Sequence, residues 1–339
     1  MMLRDCLTEV LLTADYNKTT MDYTYTIIIP HKNTPKLLQR CLDSIPHRDD
    51  LEIIIVDDNS DSAIVDFEKF PGKERKDVTI VFDKASKGAG HARNIGLNLA
   101  KGRWLLFADA DDFFNYCIRD ILDDYEKDIS DVVFFNVTGI DSNTYGPSSR
   151  GTTIKEYHRI YDQDAEEGLF LLKYSCGNPI AKLISKDFVS LHSIRFDETR
   201  IHNDTTFSYH VGYHAKKIKV DHRALYCITY SLSSISYTLD DEKILQRMEI
   251  LSRRDRFFLD HNIDLNKIVV NLHIESLADL RKEGNTELYN KSMKILNSYG
   301  FSEKDVEKRI KTYIKKRRNR RIINKLHHAV DKIASILSL

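Results

Sequence analysis

The stretch Trp104-Leu105-Leu106-Phe107-Ala108-Asp109-Ala110-Asp111-Asp112 decides the fold class of this protein. Its first five residues are apolar, which predicts a buried strand, and three carboxylates follow at once. Carboxylates held this close repel one another unless a cation lies among them. Open α/β sheets bind their ligands beside the carboxyl ends of their strands. The stretch therefore predicts a metal site at the edge of such a sheet, and a phosphorylated, metal-bound substrate.

Strands and helices alternate around this stretch. The predicted strands are Tyr25–Pro30, Leu51–Val56, Val78–Phe82, Trp104–Ala108 and Asp131–Val137, and the predicted helices are Pro35–Ile45, Ile64–Phe70, His91–Ala100 and Glu166–Tyr174. Gly102 is expected to cap the helix before the fourth strand. This alternation indicates an α/β fold with a mostly parallel, doubly wound sheet. Asp58 and Asp109–Asp112 follow two of its strands, so we expect them to share one crevice.

Composition describes an ordinary globular protein. Of its 339 residues, 42% are hydrophobic and 30% are charged, which is enough to bury a large core. The five cysteines include no CxxC pair, so a cysteine metal cluster or a disulfide framework is disfavoured and a reducing compartment is favoured. No apolar run of about eighteen residues occurs, so no membrane-spanning helix is predicted.

The net charge is zero, but the charge is unevenly distributed. Residues 311–339 carry nine Lys or Arg against one Asp, and apolar residues recur there at helical spacing. Such a basic amphipathic helix fits an anionic membrane surface, or it docks on the rest of the protein or on a second subunit. Aromatic residues do not interleave with the basic ones beyond Tyr313, so no nucleic-acid partner is expected.

Four motifs, in order, resemble the family 2 glycosyltransferases: Thr26-Ile27-Ile28-Ile29-Pro30, Ile55-Val56-Asp57-Asp58-Asn59-Ser60, Gly88 with Ala92-Arg93-Asn94-Ile95-Gly96, and Phe107-Ala108-Asp109-Ala110-Asp111-Asp112. The resemblance covers residues 24–237. It implies a GT-A fold and transfer of a sugar, with inversion, from a nucleotide-diphosphate donor to an acceptor hydroxyl. Mg or Mn is the cofactor that it implies, and a UDP-sugar is the donor that the family most often uses.

The resemblance assigns the donor site residue by residue. It places Pro30 beside the nucleobase, Asp58 as an acceptor for the base, and Arg93 against ribose or phosphate. The alternative for Arg93 is a helix-surface arginine paired with Asp57 or Asp83.

By the same resemblance, Asp109 and Asp111 match the two acids that serve ribose and metal, and Asp112 is a neighbouring metal ligand or an orienting group. The alternative is that Asp111 or Asp112 only caps a following helix. The chain departs from the family at His31 and Lys32, where the family more often has an aromatic residue before the asparagine.

The family's catalytic base is the second acid of a Glu-Asp-x-x-Phe segment, which Asn203-Asp204-Thr205-Thr206-Phe207 resembles. Asp204 is therefore the expected general base, and Asn203 replaces the first acid. Asp204 also fits the N-cap of a helix beginning at Thr205, and both roles are compatible. The nearby His202, His210 and His214 are expected to be ordinary core or surface residues, since neither cysteines nor an HExxH pattern accompany them.

The expected organisation is an N-terminal extension (1–22), a GT-A catalytic domain (23–238, with a nucleotide-sugar half, 23–115, and an acceptor half, 116–238), a helical region (239–310) and a basic amphipathic tail (311–339). The expected function is cell-surface glycan or capsule synthesis on a glycan or lipid-linked acceptor, in the cytoplasm, with peripheral attachment to the inner face of the membrane. The alternatives are a catalytically idle nucleotide-sugar-binding or scaffold protein, and a nucleotidyltransferase. The Lys- and Gly-rich loop that nucleotidyltransferases use directly after their first strand is absent from this sequence.

Overall fold

The computed structural model describes residues 23–230, 240–269, 271–315, 317 and 318. Two compact units make up the chain and divide between residues 234 and 235. The predicted N-terminal extension and residues 319–339 of the predicted tail lie outside the described residues.

Four parallel strands form the first half of the sheet in the first unit: β1 (Tyr25–His31), β2 (Leu51–Asp58), β3 (Val78–Asp83) and β4 (Trp104–Phe107). They lie in the order β3-β2-β1-β4. The chain moves outward from β1 to β3 and then returns to the far side of β1. The carboxyl ends of β1 and β4 therefore meet where the strand order reverses, which is the position of the ligand crevice in open α/β sheets.

The second half of the sheet is mixed. It contains β5 (Phe113–Phe114), β6 (Val132–Asp141), β7 (Lys182–Ser185) and β8 (Ile218–Tyr230), in the order β7-β6-β8-β5 beyond β4. The short strand β7 runs antiparallel to both β4 and β6, whereas β6 and β8 are parallel. The α/β class with a flanked sheet is thus confirmed, and parallel pairing dominates its first half.

Seven helices flank this sheet in the described part of the first unit: α1 (Pro35–Asp43), α2 (Ala89–Leu99), α3 (Ile118–Tyr125), α4 (Thr152–Gln163), α5 (Ala165–Tyr174), α6 (Lys186–Leu191) and α7 (Thr205–His214). Local chemistry fixes several of their starts. Pro35 opens α1, where a missing N–H costs nothing. The Asp164 and Ser185 side chains accept capping hydrogen bonds at the starts of α5 and α6.

An aromatic cluster brings the segment before α7 against the end of β4. The Phe107 ring lies 5.1 Å from that of Phe196 and 5.3 Å from that of Phe207, and the last two rings stack at 4.0 Å. All three side chains are buried. Residues 197–204 are therefore held beside the Asp-x-Asp stretch by packing.

The helix predicted at Ile64–Phe70 is wrong, because this segment is a series of turns. The Asp61 carboxylate accepts a hydrogen bond from Ala63 N, and the Asp66 carboxylate accepts one from Glu68 N. Such local bonds compete with the helical ladder for the backbone donors. The apolar side chain of Ile64 is 53% exposed, so its burial does not stabilise a helix in this segment.

Gly102 does not cap α2, which ends at Leu99 with Ala100 as its C-cap residue. A Cβ at position 102 would lie 2.5 Å from the carbonyl carbon of Tyr25, and Gly102 N donates to Thr26 Oγ1 at 2.8 Å. Glycine is needed here because the backbone entering β4 passes close to β1.

The second unit is helical, with α8 (Asp241–Asp260), α9 (Leu272–Glu283), α10 (Thr286–Ser298) and helical residues 303–315. The predicted breaks near Asn262 and Gly284 are confirmed. Its core is a buried cluster that includes Met248, Leu277 and Leu296. Asp255 is buried between Arg254, His273 and Arg309, which ties residues 303–315 to α8 and α9. Among the described residues, no helix is both long and apolar enough to cross a membrane.

Candidate active site

The predicted site residues gather at the carboxyl edge of the parallel strands. Pro30 is the penultimate residue of β1 and lies opposite Val56, Asp58 ends β2, and Asp109 lies two residues beyond the end of β4. Parallel strands deliver their carboxyl ends to the same edge, so this convergence follows from the strand order. The structure brings Arg93 and Asp204 to the same place by the contacts described below.

A buried pair fixes the loops that follow β1 and β2. His31 Nδ1 lies 2.7 Å from Asp57 Oδ1, while His31 Nε2 accepts a hydrogen bond from Thr34 N. The proton of the ring is therefore on Nδ1, and it is donated to Asp57. Burial raises the pKa of the Asp57 carboxyl, but hydrogen bonds from His31 and Ser60 outweigh it and leave the pKa below its usual value. Asp57 thus holds the loops that follow β1 and β2 in place beside the crevice.

Asp58 is buried and faces the loop between β3 and α2. Its carboxylate accepts hydrogen bonds from Gly88 N at 3.0 Å and from Lys32 Nζ at 3.1 Å. Lys32 also donates to Ser86 Oγ at 2.8 Å. Where the family more often has an aromatic residue, this chain has a cation that joins the ends of β1, β2 and β3.

Arg93 lies at the centre of the site. Its side chain is 6% exposed and donates from Nη2 to Asp109 Oδ1 at 2.5 Å and from Nη1 to Asn203 Oδ1 at 2.9 Å. The alternative of a surface arginine paired with Asp57 or Asp83 is therefore wrong. Arg93 connects the Asp-x-Asp stretch to the segment that carries Asp204, and Asn203 offers it a neutral acceptor in place of a second carboxylate.

The three acids after β4 have different environments. Asp109 is 40% exposed at the side chain and pairs with Arg93. Asp112 is buried and accepts a hydrogen bond from Thr229 N at 2.7 Å. Asp111 is exposed, and no hydrogen bond from another residue within 23–230 reaches its carboxylate. The helix-cap alternative is wrong, because β5 follows Asp112 and the next helix begins at Ile118.

The pKa shifts of these acids show that their negative charges repel one another. Desolvation raises the pKa of Asp111 and, well above its usual value, that of Asp112, and the negative charge of Asp109 raises both further. A divalent cation would relieve this repulsion. Nevertheless, across the described ranges no group of three or more His, Cys, Asp or Glu side chains is arranged to hold a metal.

A metal held jointly by protein and substrate fits this arrangement. Mg²⁺ is commonly bound by one or two carboxylates together with substrate phosphates and water, without a cage built wholly from protein. Asp111 offers such a carboxylate, with Asp109 beside it. Asp112 is directed to the backbone of β8, so of the two roles expected from the sequence it fits the orienting role better than direct metal ligation.

Asp204 occupies the N-cap position of α7, but its side chain makes no capping hydrogen bond. Burial raises the pKa of its carboxyl, and the positive charge of Arg93 acts in the opposite direction. A carboxylate in this state is a stronger base than an exposed one, and it remains free to accept a proton from a substrate.

Strand β8 and helix α1 supply contacts that the sequence had not indicated. Tyr226 OH accepts a hydrogen bond from Asp109 N at 2.8 Å, Thr229 Oγ1 donates to the carbonyl of Asp111 at 2.8 Å, and Arg40 Nη2 donates to the same carbonyl at 2.5 Å. The β-branched and aromatic residues of Ile218–Tyr230 are the signal that would have predicted β8. Nothing local marks Arg40, since its role depends on contacts 71 positions away.

The histidines near Asp204 do not form a metal site within the described part of the chain. The rings of His210 and His214 stack at 5.6 Å, and His214 stacks on His192 at 4.2 Å. His192, His210 and His214 therefore pack on one another through their ring faces.

Comparisons with known proteins agree with this geometry. Residues 26–182 match the family described as glycosyl transferase family 2. The poly(ribitol-phosphate) beta-glucosyltransferase of Bacillus spizizenii is 38% identical over 92 residues, which is 26% of this chain and 14% of that protein. The poly(ribitol-phosphate) beta-N-acetylglucosaminyltransferase TarS of Staphylococcus aureus is 29% identical over 122 residues, or 34% of this chain and 21% of that protein. The matches thus span less than a quarter of either relative.

The crystal structure of S. aureus TarS 1–349 in complex with UDP-GlcNAc superposes with a TM-score of 0.51 at 20% identity. The superposition covers 81% of this chain and 91% of that one. It supports the fold, which is of the GT-A type as expected from the sequence.

Proposed function

We propose that this protein, whose residues 26–182 match glycosyl transferase family 2, transfers a sugar from a nucleotide-diphosphate donor to an acceptor hydroxyl with inversion at the anomeric carbon. One observation carries the proposal. Arg93 joins Asp109, on the donor side, to Asn203, the neighbour of Asp204, so the donor-binding and base-bearing segments form one continuous site.

In this proposal the residues share the work of one displacement. Asp204 takes the proton from the acceptor hydroxyl, the acceptor oxygen bonds to the anomeric carbon, and the bond from that carbon to the β-phosphate oxygen breaks. Asp58 faces the nucleobase beside Pro30, and Arg93 lies against ribose or phosphate. Asp109 and Asp111 face the diphosphate. The nucleoside diphosphate leaves with the electron pair of the broken bond.

Asp111, with Asp109 beside it, would hold Mg or Mn together with the donor diphosphate. The ion would stabilise negative charge on the leaving phosphate as a Lewis acid. Support comes from the raised pKa of Asp111 and from its carboxylate, which accepts no hydrogen bond from another residue within 23–230.

The donor and acceptor are proposed by class. A UDP-sugar is the donor to test first, because a structural neighbour is described as a complex with UDP-GlcNAc. Two relatives are named for transfer to poly(ribitol-phosphate), which favours a cell-surface polymer as acceptor. We further propose that residues 311–339 bring the enzyme to an anionic membrane surface, on the strength of their positive charge and apolar spacing.

Release of UDP from UDP-GlcNAc, measured with and without Mn²⁺, tests the function. We expect metal-stimulated release by the natural chain. Asp204→Asn should lower kcat about 10²- to 10⁴-fold, the usual contribution of a general base, while calorimetry finds UDP binding near normal. Full turnover by this variant would contradict the role of Asp204. Failure to bind any of UDP, GDP, CDP or ADP would contradict the proposed function and favour a scaffold.

A further inference from the structure

A short hairpin beside the Asp-x-Asp stretch presents an exposed aromatic ring. Tyr145 is 61% exposed and adopts a φ of +56°, a conformation that non-glycine residues rarely adopt. The Asp141 side chain accepts hydrogen bonds from the backbone N–H groups of Asn143 and Thr144, and Tyr145 N donates to the carbonyl of Asp141. The turn is therefore held in place with its tyrosine facing outward.

The hairpin is also fixed to the sheet. Asp141 N donates to the carbonyl of Gly146, and Pro147 pairs with Ile140 at the end of β6. Gly139 lets the following chain approach closely, because a Cβ at this position would lie 2.1 Å from the carbonyl oxygen of Arg150. A rigid support of this kind favours binding by reducing the entropy lost when a ligand docks.

Arg40 connects this hairpin to the site. Its guanidinium lies 6.0 Å from the centre of the Tyr145 ring and 5.3 Å from that of Phe113, and it donates to the carbonyl of Asp111. Its other acceptors are the carbonyl and hydroxyl oxygens of Ser142. These oxygens are neutral, and no direct ion pair of Arg40 occurs among the described residues, so its positive charge is available to an anionic ligand.

From these contacts we propose that Tyr145 and Arg40 form an acceptor subsite for a phosphate-bearing sugar or polyol unit. The C–H groups of the unit would pack on the exposed ring, and the phosphate would lie against the guanidinium. The link from Arg40 to Asp111 places this unit next to the donor diphosphate. The subsite deepens the proposed function and rests on it, because it names the class of acceptor.

The test measures the affinity of the full-length protein for poly(ribitol-phosphate) by calorimetry in the presence of UDP and Mn²⁺. We expect Tyr145→Ala and Arg40→Gln each to weaken polymer binding at least about tenfold. Tyr145→Phe should retain it, because the ring is kept. Tyr116→Ala is the matched control, since Tyr116 is a still more exposed tyrosine, 96% exposed, outside the hairpin.

Binding of UDP alone to the same proteins shows whether the nucleotide site is formed. If the natural chain binds UDP but not the polymer, the proposed subsite is wrong for this acceptor class. It is equally wrong if Tyr145→Ala and Tyr116→Ala change the affinity for the polymer to the same extent. If the natural chain binds none of the nucleotides tested above, the proposed function itself fails, and the subsite falls with it.

Discussion

At the scale of single residues, partners decide the role of each acid. Asp57 and Asp58 are adjacent in sequence but have different partners. Asp57 is hydrogen-bonded to His31 and Ser60. Asp58 is hydrogen-bonded to Lys32 and Gly88 at the crevice. Among the acids after β4, Asp111 is the one whose carboxylate no neighbouring residue in the described chain engages by hydrogen bonding. Asp57 is thus a structural support, Asp58 a candidate ligand contact and Asp111 a candidate metal ligand, although all three have the same side chain.

Asp111→Ala tests the metal role. We expect UDP affinity measured by calorimetry to lose its dependence on Mn²⁺, with a fall of at least about tenfold at saturating metal, the scale set by losses at metal sites. Asp120→Ala, which removes an exposed acid from α3, is the control and should keep the metal dependence. Unchanged metal-dependent affinity in Asp111→Ala would exclude Asp111 as a ligand.

The pH dependence of kcat tests the state of Asp204. A base acts when deprotonated, and burial raises the pKa of this carboxyl. Activity should therefore be present above that raised pKa and lost as the pH falls through it, with an acid limb above the ordinary value of about 3.9. Turnover measured from pH 4 to 8, with UDP binding followed at each pH, checks this. A limb at or below pH 4 would contradict it.

At the scale of elements, close packing of α2 sets the site. Gly90 lies where a Cβ would come within 1.9 Å of the carbonyl oxygen of Asp197 and 2.9 Å of the Asn203 Cβ. Helix α2 therefore lies directly against the segment that leads to Asp204. Asn94 reinforces this contact, because its side chain exchanges hydrogen bonds with the backbone of Phe196 in both directions.

Gly90→Ala should consequently destabilise the protein by about 1–3 kcal/mol, the usual cost of overpacking, and lower kcat by moving Asp204. Urea unfolding and UDP release measure the two effects. Gly177→Ala is the control, because a Cβ there meets nothing within 4 Å. Equal stability and activity of the two variants would show that α2 and the 197–204 segment are not tightly coupled.

At the scale of the whole molecule, the tail begins within the second unit. Tyr313 packs against the core of this unit and bonds to Glu275, and Arg317 pairs with Asp279. Tyr313 and Arg317 therefore contact α9, as the docking alternative expects. The membrane alternative concerns the part of the tail that lies outside the described residues.

Full-length protein in which Arg320, Arg321 and Lys325 are replaced by Glu should bind anionic vesicles at least about 100-fold less well, because three cations are lost and three anions are added. Each basic residue near such a surface contributes about 1 kcal/mol, and 1.4 kcal/mol is a factor of ten. Flotation with phosphatidylserine vesicles measures this. The control replaces the exposed lysines Lys76, Lys127 and Lys282 with Glu. Equal flotation of both variants would favour docking of the whole tail on the protein.

Local sequence determined the parallel half of the sheet and the convergence of Asp58 with Asp109–Asp112. Isoleucine-rich runs indicate buried strands, and acids that follow such runs indicate the carboxyl edge of the sheet. Where local hydrogen bonding opposed the apolar spacing, as at Ile64–Phe70, the sequence pattern was misleading.

Tertiary structure alone decided which acids are paired and which are free. Arg93 meets Asn203 across 110 positions, and Thr229 meets Asp112 across 117, and no periodic pattern encodes such contacts. They form because packing of Phe107 with Phe196 and Phe207, and pairing of β8 with β5 and β6, bring distant segments to one edge. Sequence by itself determined which chemical groups are available at this edge, and packing decided which partners each group meets.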